Sequence, residues 1–161
     1  MSGGISALGG GQTLSLRVQQ LILDREEPGG RTFEVKRNLS KGNVLAILVV
    51  GGAGYIGSHV ARTLRRHGYE AIIYDNLCAG HAFLAHGFEL VVADIADSEQ
   101  LTKVMGRVDA VMHFAAFASV GESVQNPRIY FRNNAKGGLN LLNTALDAGV
   151  RRFIFSSTCA V

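Results

Sequence analysis

The chain has 161 residues, room for one domain with a packed core and too few for two ordinary ones. Apolar residues make up 47% and charged residues 18%, with a net charge of only +3, a composition that excludes a disordered chain. The longest apolar run, Val44 to Val50, spans seven residues and cannot cross a bilayer, so no membrane partner is expected.

Residues 1–42 read as an N-terminal extension or linker of unknown role. Met1 to Gln12 is glycine-rich and lacks the cationic start and apolar middle of a secretory signal. Leu14 to Leu23 suits a short helix or strand, and Pro28-Gly29-Gly30 a turn. From Val44 the pattern becomes regular. Val44–Val50 is a continuous apolar run closed by glycine, as in a parallel strand buried on both faces. Helical spacing follows over Gly57–Arg66, with Gly68 as terminator. Ala71–Asp75 and Phe88–Val92 read as strands, and a helix runs through Leu101 and Val104. Val108–Phe114 is a fourth strand. Pro127–Ala148 is a long helix with Leu139, Leu142 and Ala145 on one stripe, and Phe153–Phe155 opens a fifth strand. Such alternation predicts an α/β fold: a Rossmann-type doubly wound parallel sheet, truncated after about five strands, over residues 43–161.

Basic residues cluster at Arg62, Arg65 and Arg66, but no aromatic platform accompanies them, so a solvated helix face is expected and no nucleic-acid partner. Cys78 and Cys159 lack metal-ligand spacing. No metal is expected, and a reduced, cytoplasmic setting follows.

Gly51, Gly54 and Gly57 form a G-x-x-G-x-x-G loop between the first strand and its helix. The first glycine permits the sharp exit from the strand, the second lets backbone approach a pyrophosphate, and the third lets helix pack on strand. The helix start offers free N–H groups and a positive dipole end to that phosphate. Asp75 closes the second strand 18 residues after Gly57, where a carboxylate can hold a ribose diol. The same charge repels a 2′-phosphate, and the next residues, Asn76, Leu77 and Cys78, bring no arginine. The cofactor expected is NAD.

Six segments carry a resemblance: GGAGYIGSH (Gly51–His59), YDNL (Tyr74–Leu77), ADI (Ala93–Ile95), HFAA (His113–Ala116), VGESVQNP (Val120–Pro127) and FIFSST (Phe153–Thr158). Together, over about residues 44–161, they resemble the N-terminal half of the UDP-glucose 4-epimerases, extended short-chain dehydrogenases/reductases. The resemblance implies that Tyr55 and Ile56 contact the pyrophosphate and that Asp75 holds the adenosine ribose, helped by Asn76, Leu77, Cys78, Ala79 and Gly80. It implies Asp94 and Ile95 beside the adenine. Phe114, Ala115, Ala116, Phe117 and Ala118 line the cofactor, supported by Asn133. Ser157 and Thr158 face the nicotinamide and the sugar, Thr158 as the hydroxyl contact to substrate. A UDP-sugar substrate is implied, and family members are often dimers, so a homodimer is an open expectation. Simpler roles stay open: Asp94 as a helix cap, His113 as a satisfied core histidine, Asn133 as a surface residue, and Ser156 to Thr158 as turn formers. Val50, Ala118 and Thr158 depart from residues common in the family, respectively threonine, lysine and serine.

In that family a Tyr-x-x-x-Lys pair removes the proton from the sugar 4-hydroxyl as hydride passes to NAD, the lysine charge lowering the tyrosine pKa. Four residues after Tyr55, Tyr69, Tyr74 and Tyr130 stand His59, Ile73, Cys78 and Asn134. The expectation is therefore an epimerase portion inactive alone. A non-catalytic NAD-binding module and a portion of a related nucleotide-sugar 4-epimerase are the alternatives. A sheet edge at the fifth strand also predicts poor solubility of the isolated chain. A monodisperse preparation that melts cooperatively in calorimetry contradicts that expectation.

Overall fold

The computed structural model describes residues 45–157. The readings for residues 1–42, and those for Val44, Thr158 and Cys159, lie outside the described residues.

Five parallel strands form one sheet in the order β3-β2-β1-β4-β5. They are β1 (Ala46–Val50), β2 (Glu70–Asp75), β3 (Glu89–Val92), β4 (Ala110–His113) and β5 (Arg152–Phe155). The apolar run makes β1 the central strand. Every residue of it is buried, with Leu48 paired to Ile72 on one side and Val111 on the other. Strand alternation then sorts its side chains into two cores. Leu48 and Val50 pack with Leu101, Met105 and Leu141, whereas Ile47 and Val49 pack with Ala61 and Leu64. Each such side chain stabilises the fold by about 1.5–3 kcal/mol.

The helices are α1 (Tyr55–Arg66), α2 (Ser98–Met105), α3 (Val120–Gln125), α4 (Pro127–Tyr130) and α5 (Gly138–Asp147), of which α1, α2 and α5 supply those partners. Asp97 caps α2, its carboxylate accepting from the Gln100 amide at 3.1 Å, a contact worth about 1 kcal/mol. Arg65 and Arg66 lie in the last turn of α1, where positive charge favours the dipole. Gly68 follows at φ 82°, as its role as terminator requires.

Three expectations need correction. Strand and helix do not alternate throughout, because only a 3-10 turn (Ala82–Ala85) interrupts the connection from β2 to β3. That connection is held from α1. Arg62 donates to the Leu84 carbonyl and Arg65 to the Gly87 carbonyl, both at 3.0 Å, and the Arg65 guanidinium lies 4.4 Å from the Phe88 ring centroid. Arg62 is half-buried and braces this connection, while Arg65 and Arg66 stay exposed on the solvated face expected.

The long helix over Pro127–Ala148 is not uniform either: α4 and α5 flank a π-helical segment, Phe131–Gly137. Its buried stripe is Leu141, Thr144 and Ala145, while Leu139 is 58% exposed and Leu142 38% exposed. Leucines occupy two faces of α5, and periodicity alone did not separate the face that meets the sheet. Among the described residues no helix is long and apolar enough to cross a membrane.

Candidate functional site

The site forms where the order of the sheet turns back on itself, at the carboxyl ends of β1, β2 and β4. Gly51 leaves β1 at φ 78°, and its amide donates to the Tyr74 carbonyl at 2.8 Å. A Cβ at Gly51 would stand 2.6 Å from the Ala115 amide nitrogen, so only glycine lets the two loops pass. A Cβ at Gly57 would collide with the Gly51 carbonyl and come within 2.8 Å of the Gly52 Cα. The first turn of α1 thus lies directly on the loop. Gly54 is the N-cap of α1, with no side-chain cap and no acidic residue in the first turn. Its leading N–H groups therefore remain available to an anion.

Asp75 ties the loop to β2. The residue is 8% exposed, and its carboxylate accepts from the Ala53 amide at 3.0 Å and the Leu77 amide at 2.8 Å. Leu77 adopts the left-handed conformation at φ 60°, which costs a non-glycine residue about 1 kcal/mol or more. The Asn76 side chain continues the turn, accepting from the Cys78 amide at 3.1 Å and donating to Asp94 at 2.7 Å.

A cleft of about 270 Å³ opens between these elements. This is just below the range of about 300–1,000 Å³ usual for small-ligand sites. Its walls bring together Gly51, Gly54, Tyr55, Asp75, Asn76, Cys78, Ala79, Gly80, Ile95, Phe114, Ala115, Ala116, Phe117 and Asn133. Ile56, Gly57, Leu77, Asp94, Ala118 and Ser157 stand off those walls, and Thr158 lies outside the described residues.

Val50, Tyr74 and Ala93 also line the cleft, and sequence reasoning did not select them. Their position at or just after the ends of β1, β2 and β3 was the available signal. The Tyr74 hydroxyl donates to the Asp94 carbonyl at 2.8 Å, and burial, with help from Asp97 and Asp94, raises its pKa well above the usual range. Asp94 does not cap α2, since Asp97 does. Its carboxylate accepts from the Ala96 amide at 2.8 Å and from Asn76.

Beyond β4, Ser119 caps α3 and Glu122 accepts from the Tyr130 hydroxyl at 2.8 Å. The Ser-x-x-Glu spacing was a readable signal for this helix. A more open hollow of about 420 Å³ lies against α4 and the π-helical segment, lined by Ser123, Pro127, Tyr130, Phe131, Asn134 and Ala135.

A glycine loop between the central strand and its helix, an acid closing the next strand, and a cleft between them define a dinucleotide-binding α/β domain. The chain belongs to the NAD dependent epimerase/dehydratase family, whose model matches residues 47–161. It is 49% identical over 116 residues to the UDP-glucose 4-epimerase of Rhizobium meliloti, covering 71% of this chain and 35% of that protein. The UDP-glucose 4-epimerase of Brucella ovis, solved in complex with NAD, matches with a TM-score of 0.70 at 44% identity, over 72% of this chain and 36% of that one. The Stenotrophomonas maltophila enzyme, solved with NAD and formylated UDP-arabinopyranose, gives a TM-score of 0.69 at 38% identity, over 73% and 38%. The chain thus spans about a third of the length of the curated relatives it matches.

His113, at the end of β4, is not the satisfied core histidine expected. It is 3% exposed, and its Nδ1 has no hydrogen-bond partner among the described residues. The rings of Phe155 and Phe153, at 5.4 and 6.3 Å, offer no acceptor. Burial lowers its pKa from 6.5 to about 4. The folded state therefore takes up its proton later than the unfolded state as pH falls. The stability it contributes is full above pH 6.5 and is lost progressively toward pH 4, by about 3 kcal/mol. Denaturant melts of the 161-residue chain between pH 7.5 and 4.5 are expected to show this loss, and a His113→Leu variant a shallower one.

Proposed function

We propose that this chain holds NAD in the cleft and is the NAD-binding portion of a UDP-glucose 4-epimerase, the enzyme that interconverts UDP-glucose and UDP-galactose. The observation that carries the reading is Asp75, a buried carboxylate on the cleft wall that also locks the glycine loop. In that position it suits a ribose diol and disfavours a 2′-phosphate. The fit extends to the loop itself, where the space a Cβ would need at Gly51 and Gly57 is already filled by backbone.

In this reading Gly51, Gly54, Tyr55, Ile56 and Gly57 present backbone to the pyrophosphate. Asp75 receives the ribose within the turn from Asn76 through Leu77, Cys78 and Ala79 to Gly80. Asp94 and Ile95 flank the adenine. The segment Phe114, Ala115, Ala116, Phe117 and Ala118, with Asn133, forms the opposite wall. Ser157 and Thr158 serve the nicotinamide and the sugar hydroxyl. Bound NAD supplies the hydride acceptor and donor for inversion at sugar C4. The NAD in the Brucella ovis structure and the nucleotide sugar in the Stenotrophomonas one support cofactor and substrate class.

The proposal extends to a cytoplasmic setting, supported by the free thiol of Cys78, and to a homodimer, supported by the exposed face of Leu139, Leu142 and Leu146. It includes no nucleic-acid or membrane partner, and residues 1–42 are proposed as an extension outside the NAD-binding domain.

Calorimetric titration tests the core of it. The folded chain is expected to bind NAD saturably and to prefer it to NADP. Asp75→Asn removes the charge and turns an NH2 toward one of the two backbone amides the carboxylate accepts from. In a chain that still melts cooperatively it is expected to reduce that preference by about tenfold, roughly 1.4 kcal/mol. A folded chain that binds no NAD at millimolar concentration, or takes both dinucleotides equally, contradicts the proposal.

A further inference from the structure

The wall of the cleft after β4 is held in an unusual way. Phe114 still donates to the Val50 carbonyl at 2.8 Å, but from Ala115 to Ala118 the loop makes no backbone–backbone hydrogen bond among the described residues. One side chain takes over. Asn134 accepts from the Phe117 amide through Oδ1 and donates to the Phe117 carbonyl through Nδ2, both at 2.9 Å. This side-chain amide pairs with both main-chain groups of one residue, as a neighbouring antiparallel strand would. Asn133 donates to the same Oδ1 at 2.8 Å, which fixes the orientation of the Asn134 amide.

The helix geometry makes this pair workable. Asn133 and Asn134 sit in the π-helical segment, whose wider turn spreads consecutive residues over a narrower arc than an α-helix does. Asn133 can then line the cleft while its neighbour reaches Phe117. The Phe117 ring in turn lies 5.6 Å from the Tyr130 ring. Segments of this kind occur often at functional sites.

We infer that Asn134 is a positioning residue for the dinucleotide: it acts through Phe117, holding the Ala115–Phe117 wall in place without lining the cleft itself. The inference rests on the NAD reading above. A dinucleotide laid across the switch point has one half at Asp75 and the other toward β4. The wall held by Asn134 therefore serves the half remote from Asp75.

Titrations of NAD and of AMP into wild type and Asn134→Ala, with a melt of each protein, test this. Asn134→Ala is expected to raise the NAD Kd about tenfold and the AMP Kd less than threefold, and to speed hydrogen exchange at the Phe117 amide. Asn134→Asp, nearly isosteric, serves if the alanine variant does not fold. Its second carboxylate oxygen faces the Phe117 carbonyl, so the same selective loss is expected. An unchanged NAD Kd in a folded variant, or equal loss of NAD and AMP, overturns the inference and leaves the NAD reading intact. Absence of NAD binding by wild type overturns both.

Discussion

Asp75 stands at the end of β2 with both carboxylate oxygens engaged by backbone amides, Ala53 in the glycine loop and Leu77 in the next turn. Each contact is charge-assisted, and the one to Ala53 is buried, the condition in which such bonds are strongest and most costly to break. Through it the loop after β1 and the turn after β2 become one unit. The left-handed Leu77 and the tight approach of Gly80, whose Cβ would lie 2.9 Å from Oδ1, both depend on that carboxylate. A ligand that meets Asp75 therefore meets a surface already organised.

The sheet supplies the rigidity behind this unit. Because β1 is apolar at every position, it is buried on both faces and carries one helix layer on each. The residues that leave the sheet at its carboxyl ends start from fixed points. Where no helix covers a connection, side chains substitute: Arg62 and Arg65 hold the carbonyls between β2 and β3, and Asn134 holds Phe117 after β4. The two walls of the cleft are fastened by long-range side-chain bonds, Asp75 to Ala53 on one and Asn134 to Phe117 on the other, which makes single polar substitutions informative there. At the edges of the sheet Val92 of β3 is 59% exposed and Phe155 of β5 56%, which leaves both edge strands open to association.

Much of this was legible before any coordinates. The run Val44–Val50 reads as a doubly buried strand, found at Ala46–Val50, and the glycines at 51, 54 and 57 between strand and helix point to a phosphate loop. Asp75 was legible as a strand-end acid. Its second task, locking Ala53, was not, because that contact joins residues 22 apart and depends on how the loop folds back. The α5 stripe was misread because Leu139, Leu142 and Leu146 make one apolar face and Leu141 and Ala145 another. The π-helical segment left no signal either. Adjacent asparagines are ordinary on a helix surface, and only the place of Phe117 gives Asn134 its partner.

The central claim is that the glycine loop, Asp75 and the wall after β4 form one cofactor cleft. Mapping NAD-induced shifts of backbone amides by NMR in isotope-labelled chain tests it most directly. The largest shifts are expected at Gly51, Gly54, Tyr55, Asn76 and Ala115 to Phe117, with little change along Leu139, Leu142 and Leu146. Shifts concentrated instead on the hollow of Ser123, Tyr130 and Phe131, or absent from Gly51 to Gly57, would contradict it.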